Sequence, residues 1–281
     1  MIISVGVAIP SFATTSHSSS RSNATCDPPH HSDALLRKVL TQFRGEERII
    51  RKRWEDDEEF GFRKLPPRAW PPYQPSPDAL PELRKKAASC NTTTSSSSSA
   101  TSTLPLHENS ECNKVLFDLA SCLAFNNLDG PAAMQLYGNL AAAGHMDSHV
   151  ALGVMLVEGL GCDCDVEAGV AHLVVACEAD NAQGLYELGT AIYCGTVDRI
   201  PSLKTGQIRQ IRDANSEAFV LFEKAATQAH VGGSFMAGEM LLEGEGCEQN
   251  VERAVLLVMQ AAEAGHRFGR QRMRQLFDST R

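Results

Sequence analysis

No stretch of the 281 residues approaches the roughly 18 consecutive apolar residues of a membrane-spanning helix, which points to a soluble protein. An excess of positive charge is missing too. The net charge is −8, and residues 113–281 carry 12 Lys+Arg against 21 Asp+Glu, a net of −9, so the acidity sits in the C-terminal part. That balance argues against a nucleic-acid binder. The one local basic cluster, Arg267, Arg270, Arg272 and Arg274, reads as a solvated helix face near a C-terminus. The nine cysteines give neither a paired CxxC nor a secreted framework, so a reducing compartment is the default. Serine-triad and phosphate-loop signatures are absent.

The first 26 residues contain no acid, one arginine and many Ser/Thr. This is the composition of an organellar transit peptide or of plain disorder. The short apolar run to Ala13 lacks a basic lead and is broken by Pro10, which disfavours a secretory signal. The expectation is disorder over 1–31 and a cytoplasmic location, with organellar import or secretion as the alternative. From Ser32 the pattern changes: Leu35, Leu36, Val39, Leu40 and Phe43 share one helical face. Short charged, amphipathic helices are expected over 32–62. The proline-rich "KLPPRAWPPYQPSPDALPEL" and the Ser/Thr-rich "NTTTSSSSSATST" mark 63–112 as linker, with Trp70 and Tyr73 as docking anchors if that arm binds a partner.

Beyond residue 112 the chain repeats itself. "LAAAGH" from Leu140, "ACEADN" from Ala176, "AATQAH" from Ala225 and "AAEAGH" from Ala261 align. Seven residues upstream of each stand Ala133, Gly169, Ala218 and Ala254, at intervals of 36, 49 and 36 residues, so the second copy carries an insertion. Downstream, Gly153, Gly189 and Gly238 recur, then Gly159, Gly195 and Gly244. Each copy reads as two short helices, with a left-handed residue ending the first and glycines turning the chain into the next copy. The units fall near 133–168, 169–217 with the insertion 196–215, 218–253 and 254–281. The segment before Ala133 is either the second helix of a worn extra copy or a capping helix.

These columns resemble the Sel-1-like repeat (SLR) family, relatives of tetratricopeptide repeats. "EGLGCDCD" and "EGEGCEQN" match the family's Gly-x-Gly-Val turn, with Asp165 and Asn250 at its acidic column. The resemblance covers 113–281. It implies an all-α fold, a short right-handed α-solenoid of antiparallel helix pairs, preceded here by a largely disordered N-terminal arm. It further implies a non-enzymatic adaptor for a protein or peptide partner, in settings such as quality control or signalling. Gln135, Asn139, His172 and Lys224 on first helices are the residues to test. Some bacterial cysteine-rich relatives, linked to β-lactam binding or hydrolysis, bridge the helices of each repeat. Cys177 matches one of their positions, but Leu185 occupies the other, so that bridge cannot form.

Chemical readings of the same residues are weaker. Zinc needs four converging ligands, and the repeat register disperses Cys162, Cys164, His172 and Cys177. The acids beside Cys162 and Cys164 oppose a reactive thiolate. His145, His230 and His266 share a loop column and read as structural. No catalytic residue, metal or cofactor is expected.

Overall fold

The computed structural model describes residues 30–43, 47, 50–52, 54, 75–92, 110–126, 128–201 and 207–279. Helix α1 spans His30–Phe43, and a 3-10 turn at Pro77–Ala79 leads into α2, Leu80–Thr92. Then come α3 (Ser110–Phe125), α4 (Gly130–Ala142), α5 (Met146–Glu158), α6 (Val166–Glu178) and α7 (Ala182–Tyr193). A short antiparallel hairpin, β1 (Arg199–Pro201) and β2 (Ile208–Gln210), pairs Ile200 with Arg209. The chain finishes with α8 (Ala214–Thr227), α9 (Val231–Glu243), α10 (Val251–Glu263) and α11 (Arg267–Ser279). From α2 onward each helix packs mainly on its neighbours in sequence, giving a solenoid of helix pairs.

Local chemistry sets the boundaries. The first helices of the four copies, α4, α6, α8 and α10, are capped by Asp129, Asp165, Asp213 and Asn250. Each side chain accepts the backbone N–H three residues on, a contact worth about 1 kcal/mol. The acidic column at Asp165 and Asn250 is therefore a helix-cap column. The first helices end on Gly144, Asp180, Ala229 and Gly265, all left-handed, with φ of 84°, 57°, 57° and 93°. The second helices α5 and α9 end on left-handed Gly159 and Gly244.

Tyr137, Leu173, Phe222 and Val258, the bulky mid-helix column of the first helices, are buried in the core. The glycine inside α5, α7 and α9 is a place of close approach. A Cβ on Gly153 would meet the Leu173 side chain at 2.6 Å, and one on Gly238 would meet Val258 at 2.6 Å. Packing thus offsets the roughly 1 kcal/mol that glycine costs in a helix.

Two expectations need correction. The linker 63–112 contains α2, which packs on α3, buries Ala87 in the core, and is joined to α3 by a Cys90–Cys112 disulfide with Cα atoms 5.7 Å apart. The two helices form a further pair ahead of the four copies. Among the described side chains of α2, Leu80, Leu83 and Ala87 join the core, because an end helix has one face to cover.

The amphipathic helix expected from Ser32 is present as α1, and its Val39 and Leu40, with Ile50 and Trp54, are buried against Val255, Val258, Met259, Met273 and Phe277 of α10 and α11. The arginines of α11 are not simply solvated. Arg270 is buried and donates to the Ala262 carbonyl at 2.9 Å, and Arg272 pairs with Glu239 at 3.0 Å. Among the described residues, the insertion 196–215 contributes the β1–β2 hairpin. Residues 1–29, and with them the expectation of N-terminal disorder or targeting, lie outside the described residues, as do Trp70 and Tyr73.

Candidate functional site: the exposed face of the first helices

Two residues beyond the small-residue column, each first helix turns a side chain outward. Gln135 is exposed on α4, Ala171 is half-buried on α6, and Val220 and Leu256 on α8 and α10 are 47% and 57% exposed. Four residues on, one helical turn along the same face, come exposed Asn139, half-buried Val175, and exposed Lys224 and Gln260. Gln135, Asn139 and Lys224 therefore belong to one row, joined by two apolar members, Val220 and Leu256. Those two were missed in the sequence, although the 36-residue interval that aligns Ala218 with Ala254 also aligns them.

His172 differs. It occupies the column held by Leu136, Leu221 and Leu257, is half-buried, and its Nδ1 lies 3.0 Å from Nδ1 of His149 on α5. One ring must donate and the other accept, so the accepting ring must be neutral. Burial holds both below the ordinary histidine pKa; for His172 the neighbouring His149 adds to this, and for His149 a bond to the Ala141 backbone opposes it. His172 thus serves an interhelix contact rather than the open row. Its partner carries no signal in sequence, since 23 residues separate the two.

The cysteines of the repeat joints are also internally engaged. Cys162 and Cys247 donate to the carbonyls of Met155 and Met240, seven residues back, at 3.5 and 3.6 Å. Burial raises both thiol pKa values, with Asp163 acting in the same direction on Cys162 and Glu223 on Cys247. Burial also pushes the Cys177 thiol up to about 12. Such thiols are poor nucleophiles at neutral pH. Among the described residues no group of three or more His, Cys, Asp or Glu side chains is arranged to hold a metal ion, and no helix is long and apolar enough to cross a membrane.

No protein-family model matches the sequence, and no curated protein matches it. Among solved structures, a protective antigen of uropathogenic Escherichia coli displaying an SLR fold is similar at 21% identity and a TM-score of 0.47, over 68% of this chain and 34% of its own. A Sel1 repeat protein from Oxalobacter formigenes is similar at 20% identity and a TM-score of 0.47, over 72% of this chain and 49% of its own. The chain thus spans about a third and about half of these two proteins. Its own recurring columns are placed copy by copy on capped helix pairs with glycine joints, a solenoid of helix pairs.

Proposed function

We propose that the chain is a non-enzymatic scaffold that docks a protein or peptide on the exposed row of its first helices. The observation that carries this is the apolar pair Val220 and Leu256, set in one column of successive first helices and left open to water. Covering the exposed half of each is worth about 1 kcal/mol. Gln135, Asn139 and Lys224 supply polar contacts along the same row and fix the register of the partner. The acidic balance of the domain makes that partner a protein rather than a nucleic acid. Quality-control or signalling assemblies are the settings the repeat resemblance suggests.

The test is quantitative affinity capture with the full chain and with the double variant Val220→Asp, Leu256→Asp. Both side chains are surface-exposed, so the variant keeps its melting temperature within a few degrees, and recovery of specific partners falls at least tenfold. Unchanged recovery by a folded variant overturns the assignment of the row. Turnover of a chromogenic β-lactam that survives repurification overturns the non-enzymatic reading.

A further inference from the structure

Helix α3 is packed on two opposite faces. Phe117 and Ser121 meet Tyr137 of α4, the two rings edge-on at 5.4 Å and the two hydroxyls 2.8 Å apart. The other face carries Cys112, Val115, Leu119, Cys122 and Asn126, spaced three and four residues apart and so aligned along one side. Three of them reach the chain ahead of α3. Cys112 is bridged to Cys90, the Cys122 thiol donates to the Ser76 carbonyl at 3.7 Å, and Asn126 donates to the Pro75 carbonyl at 3.1 Å. The segment from Pro75 to Cys90 is thus fastened at both ends of α3, with a fully buried thiol, Cys122, on the face it covers.

Apart from the bridge this cover is thin. Ala87 is buried and Leu80 and Leu83 are half-buried, while Glu82, Arg84, Lys85, Lys86 and Ser89 are exposed. A helix of 13 residues is marginal on its own in water, so α2 depends on what ties it to α3. The bridge joins cysteines 22 residues apart and limits how far the chain between them can stray. Both are half-buried at the outer end of the array, where a dithiol can reach them. Cys122, Cys162, Cys164, Cys177 and Cys247 keep their thiols, which fits surroundings where a disulfide forms and breaks rather than persists.

We propose that Cys90–Cys112 is a reversible redox latch, whose reduction lifts α2 from α3 and opens Cys122 to solvent. A thiolate of a dithiol reductant attacks one bridge sulfur, forms a mixed disulfide and expels the other cysteine as a thiolate. The reductant's second thiol then displaces the first cysteine. The bridge gains two electrons and two protons, and the reductant leaves as a disulfide. A glutathione disulfide reverses this, closing the bridge and leaving as two thiols. Burial raises the Cys122 thiol pKa, against the opposing effects of Asn126 and Arg84. Lifting α2 therefore makes Cys122 both easier to reach and more readily ionised.

The full chain is treated with dithiothreitol or left oxidised, desalted, and exposed to iodoacetamide, with alkylation followed at each cysteine by mass spectrometry. Exposed Cys164 reports the unhindered rate and buried Cys177 the intact repeats. On reduction Cys90 and Cys112 become alkylated, Cys122 reacts at least about tenfold faster, and Cys177 does not change. Oxidised glutathione restores the starting pattern. The double variant Cys90→Ser, Cys112→Ser reproduces the open state without reductant. Its amides over 80–90 exchange at least about tenfold faster than in the oxidised chain, while those of α8 to α10 keep their protection. The proposal is overturned if Cys122 stays protected once Cys90 and Cys112 are alkylated, or if dithiothreitol leaves the bridge intact. It is equally overturned if Cys177 opens together with Cys122, since the bridge then holds the whole fold rather than α2.

Discussion

At the scale of single residues, the clearest feature is the column that ends each first helix. Gly144 and Gly265 supply the left-handed backbone at little steric cost, but Asp180 and Ala229 adopt it at φ 57° as well. The tertiary packing of the second helix dictates the turn whether or not the residue favours it. Asp tolerates this region better than Ala, which gains nothing from its side chain there. The expected outcome of Ala229→Gly is a gain of about 1 kcal/mol, read as a higher urea midpoint at unchanged slope. The cap function of this column was legible from glycine recurrence. The strain at Ala229 was legible only by alignment with the glycine copies, because alanine alone gives no sign of positive φ.

At the scale of elements, the N-termini of the second helices explain the histidine column. His230 and His266 sit at the cap, and each Nδ1 accepts a backbone N–H, from Gly233 at 3.0 Å and Gly269 at 3.2 Å. Accepting requires a deprotonated nitrogen. Burial pushes both pKa values down to about 4, with His230 adding to the effect on His266. A pKa lower in the folded than in the unfolded chain means the unfolded chain binds more protons between pH 6.5 and 4. The stabilisation is therefore complete above about 6.5 and is lost as pH falls through about 4. On the order of 3 kcal/mol per histidine is involved.

Asn181 fills the same column in the second copy and caps Gly184 at 2.9 Å without titrating. His230→Asn with His266→Asn should keep neutral-pH stability within about 1 kcal/mol and flatten its decline between pH 6.5 and 4.5, as urea titrations across that window will show. An equally steep decline in the double variant would place the pH sensitivity elsewhere. The column was read as structural from sequence, but its mechanism needed the cap geometry.

At the scale of the whole molecule, the decisive feature is α1, which closes the far end of the array. A repeat stack exposes apolar surface at both ends and needs caps. Here α2 and α3 cover one end, and α1 with Ile50 and Trp54 covers the other, over Val255, Met259 and Phe277. A domain boundary near residue 113 therefore cuts through the folded unit at both ends. Deleting residues 1–54 should lower the melting temperature by at least about 4 °C and produce concentration-dependent association, measured by thermal scans and light scattering. An unchanged melting temperature and a monomer at all concentrations would show that α1 is dispensable as a cap.

The sequence by itself determined the repeat: its period, the left-handed columns, the glycines of close approach and the caps all follow from interactions within some tens of residues, and recurrence makes them visible. Even the EGLGC and EGEGC joints were readable as joints rather than reactive loops. Only the tertiary structure decided what long-range packing controls. It set α1 on α10, joined Cys90 to Cys112, turned Arg270 into the core, paired His149 with His172, and left Val220 and Leu256 in the open. None of these five recurs from copy to copy except the last, and apolar residues on a helix do not announce which side will be covered. That depends on which surfaces remain after every neighbour has packed.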